Sequence, residues 1–102
     1  MAARKPLIAG NWKMFGRAAD LGEIAALSEA IGPASGAIDV LICPPAPYIG
    51  AAAEQVRGMS ILIGAQDCSA VAADSARTGE ISAAMLAEWC GVGDFAMMLY
   101  LA

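Results

Sequence analysis

Short, nearly continuous apolar runs alternate along this chain with stretches in which apolar positions recur at the helical period. Residues 6–13 (PLIAGNWK) read as a strand, β1. Residues 18–31 read as a helix, α1, because Leu21, Ile24, Ala25 and Ile31 recur with the helical period, and Gly32 and Pro33 stop it. The run at 38–43 (IDVLIC) is the pattern of a parallel strand covered on both faces, β2, and Pro44, Pro45 and Pro47 forbid its continuation. A second helix, α2, follows at about 48–56, and SILIGA at 60–65 repeats the strand pattern as β3. Small and polar residues then dominate from 66 to 80, which reads as a loop. Ser82 is placed to cap a third helix, α3, running through Cys90 with Met85, Leu86 and Trp89 as its apolar stripe and Gly91 as its stop. Residues 95–101 read as a fourth strand, β4. Strands and helices alternating at this spacing imply right-handed crossovers and an α/β fold with a parallel sheet, in the order β1-α1-β2-α2-β3-α3-β4, within a single domain over residues 1–102.

The end of the first strand carries the clearest candidate chemistry. Side chains on a strand alternate between faces, so Asn11 and Lys13 are expected on one side and Trp12 on the other. An amide and a cation side by side above an apolar sheet suit an anion; the same pair also suits a strand fraying into solvent. The spacing alone does not separate the two.

Composition narrows the function classes. Hydrophobic residues make up 59% of the 102 and charged residues 16%, with a mean hydropathy of +0.61. That is apolar for a domain of this size, and it predicts that some surface needs a partner. No apolar run reaches the ~18 residues of a membrane span, and MAARKPLIAGNWKM lacks the apolar core and small-residue cleavage site of a secretory signal, so the expected location is cytoplasmic, with no membrane partner. With a net charge of −4 and only 6 scattered Lys and Arg, no nucleic-acid partner is expected. Cys43, Cys68 and Cys90 form no CxxC pair and no histidine accompanies them, so they are expected to pack as reduced thiols rather than bind metal or act as nucleophiles.

Four segments, GNWKM at 10–14, CPPAPYI at 43–49, IGAQDC at 63–68 and RTGEISAAML at 77–86, together resemble the N-terminal part of the triose-phosphate isomerase family, over roughly residues 4–94. The resemblance implies a partial TIM barrel, a (β/α)₈ fold of ~250 residues when whole, with the site at the carboxyl ends of the strands. It also implies a reaction that interconverts dihydroxyacetone phosphate and glyceraldehyde 3-phosphate through an enediolate, with no cofactor and no metal. The family's acid–base groups are a glutamate base and a neutral histidine. On this resemblance Asn11 and Lys13 are the substrate-binding pair and the triose phosphate their ligand. Lys13 is then also the catalytic cation, stabilising charge on phosphate and enediolate. Met14, Thr78 and Glu80 become parts of a homodimer interface, in which the 66–80 loop enters the neighbouring subunit and the Thr78 hydroxyl reaches toward the neighbour's asparagine and lysine.

The pattern then breaks. The family follows its third helix with a strand ending in Gly-His-Ser-Glu-Arg, and counting from Gly91 the histidine position falls at Leu99, beside Met98, Tyr100, Leu101 and Ala102. The chain contains 0 His, and the family's glutamate base belongs to a later part of the barrel. The expectation is therefore a family polypeptide without turnover of its own, as a truncated, frameshifted or engineered piece or a gene-model error would be. Two other roles stay open: a non-catalytic half-barrel assembly module, and a weak phosphate binder.

Overall fold

The computed structural model describes residues 5–34 and 36–90. The expected stop at Gly91 and the expected strand at 95–101 lie outside the described residues. Three parallel strands form one sheet in the order β1 (Leu7–Asn11), β2 (Asp39–Cys43), β3 (Ile61–Ile63). Leu7 lies opposite Asp39 and Asn11 opposite Cys43; Val40 pairs with Ile61 and Ile42 with Ile63. The helices are α1 (Gly22–Ile31), α2 (Ile49–Gln55) and α3 (Ala83–Cys90).

As the central strand, β2 has a neighbour on each side, and Val40, Leu41, Ile42 and Cys43 are all buried, as its unbroken apolar run requires. Alternation along the strands sends Val40, Ile42, Ile61 and Ile63 toward the helices, where they join one core with Ile24 of α1, Ile49 and Ala52 of α2, and Leu86 and Cys90 of α3. Each such aliphatic side chain, fully buried, stabilises the fold by about 1.5–3 kcal/mol. Leu41 and Cys43 face the other way, and Gly64 passes so close beneath them that a Cβ there would lie 3.0 Å from the Cys43 sulfur and 3.1 Å from a Leu41 methyl. Glycine at 64 is a requirement of that approach.

The expected boundaries shift in places for local reasons. The 18–31 helix is divided: Ala18–Leu21 is a 3₁₀ turn, and α1 proper begins at Gly22, a weak helix former at the junction. Pro45 and Pro47 set up a 3₁₀ turn, Ala46–Tyr48, that leads into α2. Ser82 caps α3 as expected, its Oγ accepting the Met85 N–H at 3.2 Å. Of the expected stripe only Leu86 is buried; the buried side of α3 runs through Ser82, Leu86 and Cys90. Met85 is 47% and Trp89 63% exposed, although the indole still lies against Gly50 of α2. The first strand also differs from its reading: it stops at Asn11, and Leu7 and Ile8 are exposed because only β2 flanks them among the described residues.

Candidate functional site

The carboxyl ends of all three parallel strands lie on one side of the sheet, and Asn11 and Lys13 lie there. The last rung between β1 and β2 is the Trp12 N–H donating to the Cys43 carbonyl at 3.1 Å. Beyond it the Asn11 Oδ1 accepts the Lys13 N–H at 2.7 Å, a side-chain turn at the point where the chain leaves the sheet. Lys13 then takes φ = 58°, the one left-handed non-glycine residue among those described. The expectation that Asn11 and Lys13 share a strand face is therefore corrected. They are neighbours because a turn folds Lys13 back over Asn11, not because a strand alternates. The left-handed conformation costs a lysine about 1–2 kcal/mol, since its Cβ crowds the following carbonyl. The turn closes at Gly16, φ = 96°, where a Cβ would stand 2.6 Å from the Trp12 ring.

Sequence reasoning passed over Gln66, the first residue of the long loop after β3. Its Nε2 donates to the Lys13 carbonyl at 2.7 Å and to the Cys43 carbonyl at 3.0 Å. Both acceptors are carbonyls, which fixes the amide with nitrogen toward them. The signal was a glutamine directly after a buried Ala65, but its partners lie 53 and 23 residues away and no local pattern joins them.

Lys13 is exposed, and among the described residues it forms no ion pair. A cavity of about 310 Å³ opens on the loop side of Gln66, lined in part by Asp67, Cys68, Glu80 and Leu86, and neither Asn11 nor Lys13 borders it. Two carboxylates make that cavity a poor seat for an anion, which leaves the Lys13 side as the better one. Of the residues expected at a subunit interface, Met14 is 94% exposed and Thr78 is exposed. Glu80 braces its own loop: its carboxylate accepts the Ser69 hydroxyl at 2.7 Å and pairs with Arg77 at 3.2 Å. The Ser69 N–H donates to the Ile81 carbonyl at 2.9 Å and closes the base of the loop. Among the described residues no cluster of three or more His, Cys, Asp or Glu is placed to hold a metal ion, and no helix is long and apolar enough to cross a membrane.

Cys43, with its backbone in the site and its side chain buried, behaves as a packing residue. Burial pushes its thiol up from 9.0 to about 11, the nearby Cys90 thiol adds to the shift, and a hydrogen bond with the Gly64 backbone opposes it. Burial raises Cys90 as well. The folded chain thus holds the Cys43 proton more tightly than the unfolded chain. The resulting stability is complete below about pH 9 and is lost as pH rises through about 11. Urea midpoints measured from pH 8 to 10.5 are expected to fall more steeply for the parent chain than for Cys43→Ala; parallel curves would contradict the assignment.

The family model described as triosephosphate isomerase matches residues 6–93. The chain belongs to the triosephosphate isomerase family. The triosephosphate isomerase of Afipia carboxidovorans is 52% identical over 84 residues, which make up 82% of this chain and 33% of that protein. That of Jannaschia sp. (strain CCS1) is 51% identical over 86 residues, 84% of this chain and 33% of the relative. The crystal structure of triosephosphate isomerase from Bartonella henselae superposes with a TM-score of 0.75 at 40% identity, covering 85% of this chain and 35% of that one. The chain therefore spans about a third of the length of these relatives. Its three-stranded parallel sheet with helices resembles the N-terminal part of the family's barrel. The match to the triosephosphate isomerase model stops at residue 93, just before the apolar run at 95–102.

Proposed function

We propose that this chain carries the anion-gripping corner of a triosephosphate isomerase site and has no turnover of its own. Asn11 and Lys13 are the substrate-binding pair, and the ligand is the phosphate and enediolate end of a triose phosphate. Lys13 is the residue that stabilises developing negative charge. The observation that supports this most directly is the conformation of Lys13, an exposed cation kept at φ = 58° with its N–H bonded to Asn11 and its carbonyl to Gln66. A lysine fraying into solvent has no reason to adopt so unfavourable a backbone. The family chemistry needs no cofactor, and a cytoplasmic setting fits it. A second reading, an assembly module without substrate, draws on Met14 and Phe15, which are 94% and 75% exposed beside the site. In it Met14, Thr78 and Glu80 face another copy of the chain.

Calorimetric titration with a transition-state analogue of the triose-phosphate enediolate separates the two. The parent chain is expected to bind it and Lys13→Ala to weaken binding at least tenfold, because the ammonium is the main charge the analogue meets. No binding by the parent, or binding unchanged in Lys13→Ala, would leave the assembly reading.

A further inference from the structure

We infer that Gln66 is a positioning residue that holds Lys13 in its left-handed backbone conformation. The inference deepens the anion-site reading and rests on it for its functional consequence, but not for its structural one. The Lys13 peptide is held from both sides, its N–H by the Asn11 Oδ1 at 2.7 Å and its carbonyl by the Gln66 Nε2 at 2.7 Å. The second Nε2 hydrogen goes to the Cys43 carbonyl at 3.0 Å, which also accepts the Trp12 N–H at 3.1 Å. Both amide hydrogens and both lone pairs of the Cys43 oxygen are thereby used.

The anchors of this arrangement are rigid. Cys43 ends the buried central strand, and the backbone just before Gln66 is tied to that strand by the Gly64 N–H donating to the Ile42 carbonyl at 2.9 Å. Gln66 thus links the turn after β1 to the ends of β2 and β3. It bonds the Lys13 carbonyl in the position that the chain reaches at φ = 58°. Other side chains fail for chemical reasons: glutamate has no hydrogens to give when ionised, asparagine is a methylene too short, and methionine has the length but no donor.

The test is heteronuclear NMR on the whole 102-residue chain, parent and Gln66→Met, with a parallel titration of inorganic phosphate. In the parent, the Lys13 Cα and Cβ shifts are expected at positive-φ values. The Gln66 side-chain amide protons are expected to be shifted and slow to exchange relative to those of exposed Gln55. In Gln66→Met the Lys13 shifts are expected to move to ordinary values while those of Ile24 and Leu86 stay in place, and phosphate affinity is expected to fall at least threefold. Lys13 shifts unchanged in Gln66→Met would overturn the inference. Should that variant not fold, a Gln66 amide in the parent indistinguishable from that of Gln55 would overturn it equally. If the parent binds no phosphate, the anion-site reading falls, while the Lys13 shifts still decide the role of Gln66.

Discussion

The 102-residue chain is expected to show no interconversion of triose phosphates above the buffer rate. The family reaction moves a proton between adjacent carbons, and it needs a base within hydrogen-bond reach of that proton and an acid to polarise the carbonyl. The chain has 0 His, and an unrelated carboxylate is no substitute by type alone: Glu80 is engaged with Ser69 and Arg77, and Glu54 with Arg57. What remains is the Lys13 charge and whatever positioning it gives. General acid–base catalysis alone contributes about 10²–10⁴-fold per group, and losing both groups puts turnover below a coupled assay. A reproducible rate abolished by Lys13→Ala would refute this. Supplying a complementary C-terminal barrel fragment is expected to restore activity only when Leu99→His is introduced as well. Restoration without that change would mean the histidine register is misread.

The fold was legible where a local rule and the tertiary structure agree. The prolines at 44, 45 and 47 end β2 at Cys43, and Ser82 caps α3 through its own hydroxyl; both act within a few residues of where they are written. Periodicity was enough to find Ile24 and Leu86, because a helix packed on a sheet must bury one face. In α3 the apolar positions Met85 and Trp89 lie off the buried side. The face is set by where α2 and the sheet lie, and that selects Ser82, Leu86 and Cys90. At the candidate site, the alternation that puts Asn11 and Lys13 on one strand face fails because the strand ends at Asn11. A strand pattern cannot announce that the Asn11 side-chain oxygen will accept the Lys13 N–H, nor that a lysine will adopt φ = 58°. Gln66 was invisible for a deeper reason: its two acceptors come together only when three strands align their carboxyl ends.

The second large effect expected is concentration-dependent association. Among the described residues β1 and β3 each have a strand neighbour on one side only, so each offers a row of backbone donors and acceptors that a closed barrel would satisfy. Apolar surface accompanies these edges: Leu7 and Ile8 on β1 are 40% and 55% exposed, and Met14, Phe15 and Trp89 are exposed further along. Association costs about 4–15 kcal/mol in lost freedom. At ~25 cal/mol per Å², roughly 200–600 Å² of apolar burial offsets that cost, an area these side chains can supply together. The uncharged run FAMMLYLA at 95–102 adds a segment of the composition that pairs readily with other strands. Light scattering across a concentration series is expected to show a homodimer or larger soluble species. Ile8→Lys on the open edge, or Met98→Lys with Leu99→Glu in the terminal run, is expected to raise the concentration needed by tenfold or more, because each places a charge where a second chain would have to desolvate it. A monodisperse monomer at high micromolar concentration, indifferent to these substitutions, would show that the chain satisfies its sheet edges without a second copy.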